Sequence, residues 1–489
     1  MKGMTISSLT VPFCNILQGL AKQKKIKVYL VGGFLRNFLL GRDCRDFDFA
    51  VSKDAIGLAR LFGKKIKGAF VLLDQEHGCA RIVKRQNGKI FTFDFADFRD
   101  KNLKQDLRHR DFTINTLCSD ILRLNENPKL IHSVLIDGKK ALKDLEQKRI
   151  QAVSKKSFKE DPLRLLRAFS LRSQLNFDVE KKTLLQIKKD RDSVRQAAYE
   201  RIRDEFFKIL LTPRASENIR LMDKIGLLEE IIPQITVMYR VKQGDYHHLD
   251  VWPHSLQVLE ELEAVVEEFG MDPYIFDYLN ESLAGERSRL GVLKLAALLH
   301  DIGKPQTKKI ENGKTSFHSH EHVGKAIVRH IARLLKLSTR ERYCLEDTVL
   351  WHLRPGYLSN FKDPSERAIF RYFRDTKEEA LSILILSLAD QRSTRGPLTT
   401  EHDQKHHEKI VRDLIARYIQ KRQEKPFIRL INGNDLIKAL KLKPSPLFGK
   451  ILNEIEEKQV LGKILTKPEA LKLAREIAKQ EKKKKTDEN

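Results

Sequence analysis

Residues 28–51 read VYLVGGFLRNFLLGRDCRDFDFAV. A short apolar strand runs into Gly32-Gly33, a helix starts behind the glycines, and a second strand opens at Asp46. Two glycines let the backbone approach a phosphate closely, and a helix start offers free N–H groups and the positive end of the dipole. Arg36 falls on the first helical turn, near the same phosphates. Asp46 and Asp48 are two positions apart on a strand, so both point to one face. Two carboxylates there can hold Mg²⁺ against a triphosphate, one ion activating an attacking hydroxyl and another steadying a leaving pyrophosphate.

Further strand-like runs follow at Phe70–Asp74, Ala80–Val83 and Phe91–Phe98, separated by turns such as Gly63 and Asn87-Gly88. Phe91, Phe93 and Phe95 alternate with Thr92, Asp94 and Ala96, which predicts a strand with one apolar face. Asp94 reads either as a third, supporting carboxylate for the same pocket or as a salt-bridged strand acid. Residues 1–150 therefore read as a mixed α/β head. From about residue 155 the apolar spacing turns helical, as at Leu163, Leu166, Ala168 and Phe169. A helical neck is expected over 151–243, a histidine-using domain over 244–424 and a helical module over 425–489, with Lys482–Lys485 opening a disordered charged tail. Residues 247–420 hold 12 of the chain's 15 histidines. The fold class expected is α+β.

The 489 residues suggest roughly three or four domains. With 92 Lys+Arg against 66 Asp+Glu, the net charge is 92 − 66 = +26, which favours a polyanionic partner, nucleic acid first. A content of 41% hydrophobic and 32% charged residues excludes wholesale disorder. Five cysteines without CxxC spacing argue against a disulfide framework or a cysteine zinc site and point to a reducing cytosol. The longest apolar run, around Ile383–Leu386, falls short of the ~18 residues a membrane span needs. Residues 1–20 carry no signal-peptide pattern.

Two more constellations complete the first half. Asp106–Asn115 reads DLRHRDFTIN, in which Arg110 supplies a planar fork of donors, Asp111 acceptors and Asn115 an amide. Glu160–Arg167 reads EDPLRLLR and puts Asp161 and Arg164 three positions apart, on one face of a helix with Pro162 in its first turn. In the histidine-rich part, His254 follows Trp252-Pro253, His300-Asp301 ends an apolar helix, His320 lies in FHSHEHVG, His352 in WHLRPG, and Asp390 ends LSILILSLAD. Imidazole and carboxylate together suit Mg²⁺, Mn²⁺, Fe²⁺, Ni²⁺ or Co²⁺. His330 and His402 read instead as hydrogen-bonded core residues.

Residues 28–51 resemble LVGGxVRDxLLGxxxxDxD, the signature of class II nucleotidyltransferases, the family of bacterial CCA-adding enzymes and poly(A) polymerases. Asn37 stands where that pattern has Asp. DLRHRDFTIN is similar to the family's RRDFTIN with His109 for the first Arg, and EDPLRLLR to its EDxxR, which selects the incoming nucleotide. ALKDLEQKRIQAV and ERIRDEFFKIL resemble its link and neck helices. The order His…His-Asp…Asp resembles the HD superfamily, many of whose members are metal-dependent phosphohydrolases. Residues 428–475 resemble the C-terminal helical module of some relatives, with Gly433-Asn434-Asp435 capping a helix.

The resemblance implies a nucleotidyltransferase head, a neck, an HD domain and a tRNA-gripping tail. It implies template-independent addition of CCA, or part of it, to tRNA from CTP and ATP. Asp46 and Asp48 would bind catalytic Mg²⁺, and Gly32, Gly33 and Arg36 the triphosphate. Arg110, Asp111 and Asn115 would hold sugar and phosphates, and Asp161 and Arg164 would read the base. His254, His300, Asp301 and Asp390 would hold a divalent metal in the HD domain, with His352 as a possible added ligand of a two-metal site. Addition of A alone, of CC alone, or of a poly(A) tail stays open, as do an HD phosphohydrolase with a vestigial head and a non-catalytic RNA-binding protein. No membrane and no obligate protein partner is called for.

Overall fold

The computed structural model describes residues 11–124, 134–244, 246–423, 427–441 and 445–487. The chain forms two compact units, Met1–Ile231 and Ile232–Asn489.

The first unit is built on a seven-stranded sheet: β1 Val28–Val31, β2 Asp46–Val51, β3 Ala69–Asp74, β4 Cys79–Gln86, β5 Lys89–Asp97, β6 Leu117–Asp120 and β7 Leu135–Asp137, in the order β3-β4-β5-β2-β1-β6-β7. The β2–β5 pairing is parallel and the other neighbours are antiparallel. β1 to β5 answer the strand-like runs of the sequence. β6 and β7, of four and three residues, are too short to show a period and were not anticipated.

The parallel pairing sorts the two faces of the sheet. It sets Phe47 against Phe93 and Phe49 against Phe95, each pair stacked at 5.0 Å between ring centroids. All four rings are buried, a favourable term of about 1.5–3 kcal/mol each. The same register puts Asp46 beside Thr92 and Asp48 beside Asp94 on the opposite face. The aromatic core thus fixes which way the carboxylates point. Helix α1, Gly33–Leu39, leaves the end of β1 through Gly32, whose φ of +75° favours glycine. Behind the sheet region come α2 Ser157–Glu160, α3 Arg164–Leu175 and α4 Tyr199–Leu210.

The second unit is mainly helical. α5 Val251–Phe269, α6 Arg289–Leu299, α7 His320–Leu334, α8 Thr339–Trp351 and α9 Ala380–Ser393 carry its metal-ligand candidates or flank them. Residues 380–389 of α9 are all buried, so the apolar run read from the sequence is a core helix. In the first unit Arg149–Ile150 pairs with Asp178–Val179, and in the second two pieces interrupt the expected helical region: Ser282–Ala284 with Arg287–Ser288, and Lys309–Glu311 with Lys314–Ser316. The last turns through Asn312-Gly313 at φ +49° and +75°, the Asn-Gly hairpin chemistry.

At the C-terminal end, α10 Gly433–Leu440, α11 Pro446–Val460 and α12 Lys467–Asp487 pack on Leu436, Ile451, Ala470 and Ala474. Asn432, one residue before the expected cap, caps α10 in a reciprocal box with Asp435. Lys482–Lys485 lie within α12, so the expected disordered tail is corrected there to helix. Among the described residues no helix is long and apolar enough to cross a membrane, and all five cysteines are free.

Candidate active site and metal centre

At the head of the first unit, Asp46 is exposed and Asp48 half-buried, side by side on β2. The Thr92 hydroxyl donates to the Asp46 carboxylate. A Cβ on Gly32 would lie 3.3 Å from Asp48 Oδ2 and 3.8 Å from Arg110 Nη1, so glycine, carboxylate and guanidinium converge. Burial pushes the Asp48 carboxyl up, Asp94 and Asp46 add to that, and Arg110 and Arg167 oppose it. Asp94 faces the same pocket but is gripped by Arg81, whose Nε and Nη2 each donate at 2.7 Å. Among Mg²⁺ ligands, carboxylate oxygens are the ordinary choice, and the Asp46–Asp48 pair fits that ion.

Arg36, Asn115, Asp111 and Arg167 form one chain of hydrogen bonds and ion pairs, while Arg110 pairs with Asp106 at 3.4 Å. Buried Arg36 donates through Nη1 to Asn115 Oδ1 and through Nε and Nη2 to Asn37 Oδ1 at 3.1 and 3.0 Å. Asn37 therefore serves Arg36 through a neutral amide where the family pattern carries an acid. Asn115 Nδ2 donates to Asp111 Oδ1 at 2.9 Å, and the Phe112 N–H reaches the same oxygen at 2.7 Å. Asp111 Oδ2 meets Arg167 Nε at 2.7 Å. Burial would raise the Asp111 carboxyl, but Arg167, Asn115 and the Phe112 N–H outweigh it and hold it below the usual range. Arg167 had no role in the sequence reading, although it closes EDPLRLLR. Its partner lies far off in sequence, so only the fold reveals the pairing.

The EDxxR-like segment departs from its expected geometry. Asp161 is extended, at φ −148° and ψ 102°, between α2 and α3, so it shares no helix face with Arg164. Proline disfavours the helical region for the residue before it, and Pro162 lies ahead of α3 rather than in its first turn. Asp161 Oδ1 accepts the Leu163 N–H at 3.2 Å and Oδ2 accepts Arg201 Nη2 at 2.9 Å. Buried Arg164 donates to the carbonyls of His109 (2.6 Å) and Ser157 (3.1 Å) and to Glu160 (3.4 Å). It thus ties the second motif to the third. His109, in place of an arginine, faces Glu160 at 3.3 Å and Asp100 at 3.8 Å.

In the second unit, six side chains from five segments converge. His254, His300 and Asp390 form one set of three, and Asp301, His320 and His352 another, the candidate ligand atoms of each lying within 4.8 Å of one another. Asp301 joins them: Oδ2 is 3.1 Å from His300 Nε2 and Oδ1 is 3.3 Å from His320 Nε2 and 3.7 Å from His352 Nε2. His254 Nε2 stands 2.9 Å from Asp390 Oδ1. The Nδ1 atoms of His300, His320 and His352 lie 2.7–2.9 Å from the carbonyls of Ala297, Phe317 and Val349. An Nδ1–H bonded this way leaves Nε2 free to ligate.

Among the described residues, buried His300 Nε2 and Asp301 Oδ2 have no well-directed hydrogen-bond partner, standing 3.1 Å apart, with Lys304 Nζ paired to that oxygen at 2.7 Å. Buried imidazole nitrogens and carboxylate oxygens gathered this closely fit divalent metal. Burial lowers the His352 imidazole to about 3, which keeps it neutral, the form that ligates. His320 was noted in the sequence without a role and joins the set through the fold alone. His330 and His402 are exposed, which corrects the expectation of core histidines. The buried stripe of α7 is His320, Gly324, Val328 and Ile331, and His330 falls off it.

Family profiles match along the chain: a poly A polymerase head domain over residues 28–151, the RNA and SrmB-binding site of polymerase A over 176–238, an HD domain over 251–395 and a tRNA nucleotidyltransferase domain 2 over 398–474. The chain is 30% identical to the A-adding tRNA nucleotidyltransferase of Deinococcus radiodurans across 90% of its own length and 93% of that protein. It is 27% identical to the CC-adding enzyme of Thermus thermophilus, across 90% and 91%. The Thermotoga maritima CCA-adding enzyme complexed with tRNA shares the fold at a TM-score of 0.61 and 21% identity, over 96% of both chains. With head motifs, histidine–aspartate cluster and near full-length similarity in agreement, the chain belongs to the class II tRNA nucleotidyltransferases that carry an HD domain.

Proposed function

We propose that this enzyme extends the 3′ end of tRNA, without a nucleic-acid template, from CTP and ATP. The convergence of Asp48, Gly32 and Arg110 beside Asp46 carries this reading. A tRNA 3′-hydroxyl gives its proton to solvent as its oxygen attacks the α-phosphorus of the nucleotide, a P–O bond forms, the α–β bridge breaks and pyrophosphate leaves with the bonding pair. Mg²⁺ held by Asp46 and Asp48 would supply a more acidic hydroxyl and a charge partner for the leaving group. Gly32 and Gly33 let the triphosphate close on the backbone, and Arg36 supports it. Arg110, Asp111 and Asn115 orient sugar and phosphates. Asp161, an acceptor, and Arg164, a donor, read the base. Residues 425–489 grip the tRNA body through phosphates. Five free thiols and the tRNA substrate support a cytosolic setting.

The test offers the purified enzyme, Mg²⁺ and labelled nucleotides to tRNAs ending before CCA, after CC, or complete. Extension of a truncated tRNA by one to three residues supports the reading. A long A tail reassigns it to poly(A) synthesis, and no incorporation on any tRNA rejects it.

A second reading rests on the two ligand sets joined by Asp301. We propose that the HD domain holds two divalent ions and hydrolyses phosphoesters. Metal there would supply a water nucleophile near neutral pH.

A further inference from the structure

We propose that Arg201 is a positioning residue for base selection: from a separate helix it aims the carboxylate of Asp161. The proposal rests on the reading that Asp161 and Arg164 recognise the incoming base. The two readers are held very differently. Arg164 is buried, begins α3, and is fixed by two carbonyls and a carboxylate. Asp161 belongs to no helix, and its side chain has one local bond, to the Leu163 N–H. Among the described residues, its side chain takes one hydrogen bond from elsewhere in the chain, from Arg201 Nη2, 40 positions away, at 2.9 Å. Where Asp161 points relative to Arg164 therefore depends on Arg201.

The helix that carries Arg201 is well anchored. α4 buries Ile202, Phe206 and Phe207, and Glu205, one turn beyond Arg201, accepts the hydroxyl of Ser170 on α3 at 2.6 Å. The helix that bears Arg164 is thus locked to the helix that bears Arg201. One rigid pair of helices presents the donor directly and the acceptor through a charge-assisted hydrogen bond.

Base discrimination makes this arrangement consequential. Cytosine and adenine each present an amino donor beside a ring acceptor, which matches a carboxylate beside a guanidinium. Uracil and guanine present the reverse and leave buried polar groups unpaired. That penalty is collected only while the carboxylate stays in place. A carboxylate free to rotate avoids a wrong base as well as missing a right one. Releasing Asp161 should therefore erode selectivity more than chemistry. As a purely structural contact the pair would matter little, since Arg201 is 55% exposed and Asp161 31%.

Competition among the four nucleotides on truncated tRNA, with wild type, Arg201→Ala, Arg201→Lys and Asp161→Ala, tests this. Arg201→Ala should lose about tenfold in selectivity for CTP and ATP over UTP and GTP, mostly through KM. Arg201→Lys, which keeps a cationic donor, should recover most of it, and Asp161→Ala should lose more than Arg201→Ala. Selectivity within twofold of wild type in Arg201→Ala, with loss in Asp161→Ala, overturns the proposal and spares the base-reading assignment. Unchanged selectivity in Asp161→Ala rejects that assignment and the proposal with it. If Arg201→Ala fails to fold, Arg201→Gln keeps an amide donor and should give intermediate selectivity, with wild-type selectivity again overturning the proposal.

Discussion

Asp48 on β2 stands opposite Asp94 on β5 in the parallel register, and only Asp94 is neutralised, by the two-pronged grip of Arg81. The two acids are neighbours in register and differ as chemical groups. Asp48 remains available to a cation, whereas Asp94 is a braced wall of the pocket. Asp94→Asn should therefore slow transfer only about tenfold, about 1.4 kcal/mol of lost positioning. Single-turnover extension assays measure this. A loss near that of an Asp48 variant would make Asp94 a metal-holding carboxylate.

The HD centre predicts a count of ions. Asp301 offers one oxygen to each ligand set, while His352 belongs to one set. Metal analysis of the purified, loaded protein should find two ions per chain in the wild type and one in His352→Ala. Asp301→Ala should lose both. Nucleotide addition should stay within about twofold in these variants, since a tenfold change would need ~1.4 kcal/mol of coupling between the two sites. One ion in the wild type, or loss of addition in a folded variant, would contradict the modular account.

Glu457 supplies a stability prediction. Its side chain is 5% exposed and takes Arg371 Nε at 2.9 Å, with Arg367 on the other oxygen. Burial would raise its carboxyl, but Arg371 and Arg367 outweigh it and hold it below its ordinary value. A depressed folded value means the stabilisation is present above the unfolded value of about 4.3 and is lost as pH falls through the folded one. Glu457→Gln should cost about 1–3 kcal/mol at pH 7, discounted because both arginines are half exposed. The wild-type advantage in thermal melts should shrink as pH drops below ~4. An advantage independent of pH would contradict the ion-pair account.

What could be read in the sequence was local. The glycine turn, the period-2 carboxylates of β2 and the alternating phenylalanines of β5 each depend on a few neighbouring residues, and each stands in the structure as read. The His300-Asp301 pair announced itself in the same way. What escaped depends on pairings across the chain. Arg167 meets Asp111, Arg81 meets Asp94 and Arg201 meets Asp161 only once register and helix packing are set. His320 reaches Asp301 from a different helix, which spacing along the chain does not encode, whereas His352 was already a candidate ligand. Asp161 stands outside the helix because Pro162 disfavours the helical region for the residue before it. The exposed His402 sits in the first turn of the helix Glu401–Gln423, whose buried residues begin only at His407.

The central claim is that Asp46 and Asp48 carry nucleotide transfer. The most direct measurement pairs two readouts on Asp48→Ala and Asp46→Ala: extension of truncated tRNA under single-turnover conditions, and tRNA affinity at fixed salt. Affinity rests on many phosphate contacts and should stay within about threefold of wild type. Transfer, deprived of the carboxylates that hold Mg²⁺, should fall by at least about a thousandfold. Extension by either folded variant at a rate near wild type would contradict the account.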